Sequence, residues 1–577
     1  MFEEPLTWIS PLLALPLPCI DTLVDLVAGM ARGSALLMAG LPPLIPREVL
    51  FGNPTRLMPR LSPDGTRLAY LAPDEGVMNL WVRSIGRDDG RVVTRDRGRG
   101  IQEYFWAEDS RRLIYTQDRD GDENWHLWSA DLEQPDLIRD LTPFLGVQAG
   151  ALESHPDHPS EILVVMNLRD RRLRDVYRLD IATGGITPEV ENPGSAIGWY
   201  VDREFRVRGR YDTTDDGGSA LHVRDDESAP WREVASWPLE EIGSGIGFTP
   251  DGRGFYLNDS RGRDTSALVR LDLLTGRCDL IAHDETHDLA GAVVHPRTNE
   301  LQVVSWDKDR RIHLPIDPAI EEPWHAAQTL DTGDMLLVSR DLEDRTWLVA
   351  FVQDDGPIRY HAFDVGERSG RFLFAHREDL SSWSLAKMQP VSFEARDGLT
   401  LHGYLSVPPG VDARGLPMVV NPHGGPWVRD TWGLNPTVQW LANRGYAVLQ
   451  VNFRGSTGYG KAFIHAGDKE WGRKMQDDLT DGVGWAVENG IADPERIAIM
   501  GGSYGGYAAL AGITFTPDLY AAAVDIVGPS SLFTLIGSIP PYWEPLRIQM
   551  HLQVGDPEKE AELLRERSPL FHVDAIK

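Results

Sequence analysis

The chemistry of this chain centres on Gly501-Gly502-Ser503-Tyr504-Gly505, a serine with a glycine two positions away on either side. Arg496 to Met500 reads as a strand leading in, and the small residues Gly506, Ala508, Ala509, Ala511 and Gly512 read as a helix leading out. A serine on so sharp a turn is held in a strained backbone conformation, and side chains at 501 and 505 would strike neighbouring backbone. Such a hydroxyl, exposed at a helix amino terminus, suits attack on an ester or amide carbonyl. The resulting oxyanion needs two N–H donors about 3 Å away. The spacing predicts Tyr504 N–H as one and Gly425 N–H as the other, from His423-Gly424-Gly425-Pro426 after the strand Leu416 to Asn421.

The elements around these residues alternate between strand and helix, the pattern of an α/β sheet. Val391 to Glu394 and Leu399 to Val407 bracket Arg396-Asp397-Gly398 as a hairpin. Tyr446 to Asn452 is a further strand, and Asp477 to Glu488 a helix stopped by Asn489-Gly490. With Ala522 to Val527 this makes six strand-like units.

Upstream, from Arg47 to about Ser382, one unit recurs: a turn, a β run, a polar turn and a second β run. Ser62-Pro63-Asp64-Gly65 and Thr249-Pro250-Asp251-Gly252 open the clear copies, and weaker ones start near Ala107, His155, Trp199, His295 and Leu336. A period of about 40–50 residues is that of four-stranded propeller blades. The predicted organisation is an extension over 1–46, a β-propeller of about seven blades over 47–382 and an α/β-hydrolase domain over 383–577. The carboxylate-rich Asp118 to Asn124 reads as a solvated blade turn, since it lacks the liganding Glu of a calcium loop.

A net charge of −30 disfavours a nucleic-acid partner. Cys19 and Cys278 are the only cysteines and read as free thiols of a reducing compartment, so a cytoplasmic protein is expected. The apolar amino-terminal stretches carry Glu3, Glu4 and several prolines, which fits an amphipathic segment better than a leader, and no run is long enough to span a membrane. No metal or organic cofactor is expected, and a homo-oligomer stays open.

At His423 to Pro426, Asn452-Phe453-Arg454-Gly455-Ser456-Thr457-Gly458-Tyr459-Gly460 and Gly501 to Tyr507, the chain resembles the prolyl oligopeptidase family, in particular its acylaminoacyl-peptidase-like bacterial members. The resemblance spans nearly everything from residue 47 on. It implies a serine peptidase acting on short or blocked peptides through an acyl-Ser503 intermediate, with the propeller excluding folded proteins. In similar proteins the segment after the sixth strand supplies the substrate side-chain pocket, here with Phe533, Tyr542 and Trp543. Relatives with a tyrosine in the Gly-rich loop use its hydroxyl at the oxyanion; His423 takes that place here. Paired propeller glutamates bind the substrate amino terminus in dipeptidyl members, but Glu240-Glu241 does not match their context. An esterase on the same elbow, or a non-catalytic propeller binding protein, are the alternatives.

The family's catalytic Asp and His follow its seventh and eighth strands, and Ser568-Pro569-Leu570-Phe571-His572 resembles the segment just before the seventh. The sequence therefore predicts a hydrolase domain lacking its last strands, and a chain with little activity of its own. Of the remaining acids, Asp525 falls inside a strand and Asp556 reads as the N-cap before Ala561 to Arg565, while His551 lies in a helical run.

Overall fold

The computed structural model describes residues 40–539 and 544–577. Cys19 and most of the amino-terminal extension lie outside the described residues, as do Tyr542 and Trp543.

Seven antiparallel sheets form the propeller, six of four strands and one of three. Their first strands begin at Leu57, Tyr104, Ala149, Ala196, Gly243, Leu289 and Asp334, 45 to 47 residues apart. The turns read from the sequence lie between the first and second strand of a blade. In two of them the cause is explicit: Gly65 and Gly252 adopt φ of +71° and +63°, and the Asp64 and Asp251 carboxylates accept from the N–H groups of Thr66 and Arg253 at 3.0 and 3.1 Å. The sixth blade has no fourth strand. The helix Pro318–Gln328, capped by Asp317 with proline at its first position, follows in its place and buries Trp324 against Trp347 of the seventh blade. First and last blades are each built from contiguous chain and close the ring by packing Leu61, Leu68 and Tyr70 against Leu348, Tyr360 and Phe374.

The second body is one six-stranded sheet of β1 (Met388–Glu394), β2 (Thr400–Ser406), β3 (Leu416–Val420), β4 (Ala447–Asn452), β5 (Ala492–Gly502) and β6 (Ala522–Ile526), in the order β1-β2-β4-β3-β5-β6. The β1–β2 and β2–β4 pairs are antiparallel and the others parallel. Helices α1 (Pro436–Ala442), α2 (Lys474–Glu488) and α3 (Tyr504–Phe515) join the parallel strands. Alternation sorts the strand residues: Val420, Leu449 and Ile499 face the side with Leu479 of α2 and Tyr507 of α3, while Val419, Val448 and Met500 face α1. Ile45 and Leu50 are also buried on that second face, so the segment before the propeller returns to the hydrolase sheet. The chain runs from β3 outward to β4, then back across to β5, leaving a reversal point between the carboxyl ends of β3 and β5, where ligands bind in open α/β sheets.

Asp556 differs from the sequence expectation. Its carboxylate accepts from Glu558 and Lys559 N–H at 2.9 and 3.3 Å, closing a turn upstream, while the helix begins at Ala561 with Glu560 at its N-cap. Asp525 and His551 lie in β6 and in the helix Glu544–Gln553. No helix among the described residues is long and apolar enough to cross a membrane.

Candidate active site

Ser503 sits between β5 and α3 at φ 57° and ψ −117°, a conformation costly for any residue with a β-carbon. The turn is over-determined by its neighbours. A β-carbon on Gly501 would stand 2.5 Å from the Gly505 carbonyl carbon, and one on Gly505 would stand 2.2 Å from the Pro422 carbonyl oxygen. Ser503 N–H donates to Ile526 O at 2.9 Å, tying the turn to the end of β6. Beyond it, a β-carbon on Gly506 would fall 2.3 Å from Asp525 Oδ1. This is why α3 carries glycine at both 505 and 506.

The loop after β3 closes over Ser503. A β-carbon on Gly424 would lie 3.5 Å from Ser503 Cβ, and Gly425 has φ +110°. The N–H groups of Gly425 and Tyr504 are drawn into no turn or cap bond among the described residues. Tyr504 is fixed by its ring, which packs against Phe453 and Trp471 with centroids 5.0 and 4.5 Å away. Ser503, Gly424 and Gly425 border a cavity of about 1600 Å³ that continues into the propeller, where Leu57, Ala292 and Leu336 of first strands line it.

His423 does not point its ring at Ser503. Its Nε2 lies 3.0 Å from Ser456 Oγ, Nδ1 lies against Gly424 O, and the ring stacks on Phe453 at 4.4 Å. Burial holds it at a pKa of about 4, neutral near pH 7. Ser503 Oγ has no hydrogen bond to any described residue. His572 packs edge-on against Phe515, at the far end of α3, about 18 Å along a helix of 12 residues. Phe533 packs into the main core and edge-on against Phe571, and does not border the cavity. Glu241 is engaged by Lys461 Nζ at 2.7 Å and Ser260 Oγ at 2.6 Å, a tie between the two bodies.

Sequence reasoning missed how the loop after β3 continues. Arg429 donates to the carbonyls of Asp307 and Lys308 at 2.7 and 3.3 Å and to Tyr459 OH at 2.7 Å. Arg310 of the propeller lies over the Trp432 ring, 3.4 Å from its centroid. Between them, Asp430 is locked by its backbone to the Asn452 side chain at 2.7 and 3.1 Å, and burial pushes its carboxyl up to about 7. The signal was the Trp427-Val428-Arg429-Asp430-Thr431-Trp432 run itself, rich in anchoring residues where a solvated loop would carry few.

The prolyl oligopeptidase family model matches residues 432–577. Dipeptidyl aminopeptidase BIII of Pseudoxanthomonas mexicana is 41% identical over 546 residues, covering 92% of this chain and 79% of that protein. Dipeptidyl peptidase family member 6 of Caenorhabditis elegans is 31% identical, covering 92% and 77% respectively. Among solved structures, a puromycin-hydrolyzing peptidase of Mycobacterium tuberculosis superposes with a TM-score of 0.73 at 19% identity over 93% of this chain and 87% of that one. Blades, reversal-point elbow and an alignment running through both bodies agree: the chain belongs to the prolyl oligopeptidase family of serine peptidases.

Proposed function

We propose that this peptidase works as a dipeptidyl aminopeptidase on short peptides, with Ser503 as nucleophile and the N–H groups of Gly425 and Tyr504 as oxyanion donors. The observation that carries this reading is Ser503 held at positive φ beside the Gly424-Gly425 loop, on the wall of a cavity shared with the propeller. Attack by Oγ on the scissile carbonyl carbon places negative charge on the carbonyl oxygen. Two preorganised donors there stabilise the transition state more than the planar substrate. The propeller restricts access, which favours short peptides over the bulky substrates open to an esterase. The two relatives aligned over most of the chain are named for dipeptidyl activity, which supports a free amino terminus over a blocked one. Of the segment after β6, Phe533 is turned into the core, which leaves Tyr542 and Trp543 as the proposed contact for the apolar side chain before the scissile bond.

Proton removal from Ser503 requires a hydrogen-bonded base, and none of the described residues supplies one. These 577 residues are therefore expected to acylate slowly, within the residual ~10³–10⁴-fold over water left when triad members are lost. A fluorophosphonate probe tests this: labelling of Ser503 at an enzyme-like rate refutes it. Prolonged incubation with dipeptidyl p-nitroanilides, N-acetyl-aminoacyl p-nitroanilides and p-nitrophenyl esters reads the substrate class. Faster release from the acetylated series, or from esters alone, overturns the dipeptidyl reading.

A further inference from the structure

The cavity that holds Ser503 has a second limb, and a buried cation on its wall has no assigned work. Arg377 lies in the linker from the seventh blade to the hydrolase body, and borders the cavity together with Glu48 and Phe51 of the helix Arg47–Phe51 and Trp440 of α1. The residue is only 6% exposed. Among the described residues its guanidinium meets one distant acceptor, Val49 O at 3.5 Å, and no carboxylate. Burial lowers its pKa to about 10, which leaves it a cation at neutral pH. A buried charge without a counter-charge is costly unless a partner arrives.

Other arginines on the wall are in a different state. Arg310, Arg311 and Arg340 border the same cavity, and each holds a carboxylate: Asp334 at 2.6 Å, Asp307 at 2.8 Å and Asp344 at 3.1 Å. Asp379 acts on Arg377 through space, without a hydrogen bond, and Glu48 is exposed to solvent. The limb also stands at a definite remove from Ser503. Met500 lies three residues before Ser503 in β5, about 10 Å along a strand, and packs in one apolar cluster with Trp440 and with Leu380 of the linker. Trp440 meets Phe51 edge-on with centroids 6.3 Å apart. A peptide leading away from Ser503 therefore needs about 15 Å to reach the limb, roughly four or five extended residues.

We propose that the Arg377 guanidinium receives the terminal carboxylate of the peptide substrate, roughly four or five residues beyond the bond that Ser503 attacks. This rests on the peptidase reading above and adds to it a selection for length at the carboxyl end. A guanidinium suits that group because two parallel N–H donors meet the two carboxylate oxygens. An amidated peptide, or one too short to reach the limb, leaves the cation unmatched.

Binding without turnover tests the assignment. The hexapeptide alanyl-phenylalanyl-tetraalanine, as the free acid and as the carboxyl-terminal amide, is titrated by calorimetry against the intact chain, Arg377→Gln and Glu48→Gln. The native protein should bind the acid at least about tenfold more tightly than the amide, the worth of one charge-assisted contact. Arg377→Gln should erase that preference, and Glu48→Gln should leave it. An amidated hexapeptide ending in glutamate separates the terminus from an acidic side chain: it should bind no better than the plain amide, and binding equal to the free acid overturns the assignment to the terminus. If acid and amide bind the native protein equally, or the preference survives Arg377→Gln, the role of Arg377 is overturned while the peptidase reading stands. If neither peptide binds the native protein, the reading of this cavity as a peptide site falls with it. Where thermal melting shows Arg377→Gln poorly folded, acetate competition on the native protein decides: acetate should weaken binding of the acid and not of the amide, and an equal effect on both overturns the proposal.

Discussion

Replacing Arg454 by Met should destabilise the hydrolase body by about 3–5 kcal/mol, the cost of leaving a buried charge without its partner. Arg454 follows β4 with a side chain only 3% exposed, and Asp478 on α2 is fully buried. The guanidinium reaches Asp478 by three contacts of 2.7 to 3.1 Å and Asp397, in the β1–β2 hairpin, by two of 2.9 and 3.0 Å. One side chain thus fastens hairpin, strand end and helix together. In the Met variant, Asp478 keeps only the Arg454 N–H at 2.8 Å, while Asp397 can turn to water. For a body of this size the loss corresponds to a fall in melting temperature of roughly 10 °C. Calorimetry and urea unfolding followed by tryptophan fluorescence measure it. The companion Arg454→Met/Asp478→Leu double variant should recover most of the loss, because a matched apolar pair leaves no buried charge. A single variant within about 1 kcal/mol of the native protein, or a double variant no better than the single one, would refute this reasoning.

Gly505→Ala should prevent correct closure of the elbow, since its β-carbon would lie 2.2 Å from Pro422 O; Gly502→Ala, whose β-carbon meets only Ile526 O at 3.9 Å, should be tolerated. Comparison of their melting curves and fluorophosphonate labelling checks both, and equal effects would count against the geometry. His376 accepts Ile358 N–H at its Nδ1, and burial holds its pKa at about 3. The unfolded chain, with histidine near 6.5, therefore takes up the proton first. Its contribution is fully present above about pH 6.5 and is lost as pH falls toward 3, at up to about 1.4 kcal/mol per pH unit. His376→Gln should flatten the pH dependence of unfolding in that window, and an unchanged slope would exclude His376 as its source.

What could be read in the sequence was what local sterics demand. The Pro-Asp-Gly turns are legible because few residues other than glycine accept the left-handed conformation at Gly65 and Gly252. The elbow is legible for the same reason. First strands of the blades are hard to read where they lack regular alternation: Gly243–Phe248 reads Gly-Ser-Gly-Ile-Gly-Phe and Ala149–Ser154 reads Ala-Gly-Ala-Leu-Glu-Ser. The outer strand of the first blade is only Arg91–Val92, too short to show a period. The helix in the sixth blade did announce itself through Asp317-Pro318, yet a strict blade template hid it. Ile45 and Leu50 belong to an apolar stretch with no amphipathic partner in sequence. Only the sheet face they cover, with Val419, Trp440 and Val448, explains them.

The loop after β3 resisted sequence reading because it serves two surfaces at once. Gly424 is shaped by the closeness of Ser503, which is a local requirement and visible as a glycine pair. Arg429 and Trp432 are shaped by Asp307, Lys308 and Arg310 of the sixth blade, more than a hundred residues away in sequence. Such a dependence has no local signature. Its consequence is mechanical: the segment that carries the Gly425 N–H is anchored at one end to β3 and at the other to the propeller. If the sixth blade separates from the hydrolase body, Arg429 loses two carbonyl acceptors and Trp432 its cation together. The strain then falls on the few residues between them and Gly425. Docking of the propeller and the placement of the proposed Gly425 donor are therefore set by one stretch of chain, with Asp430 in its middle.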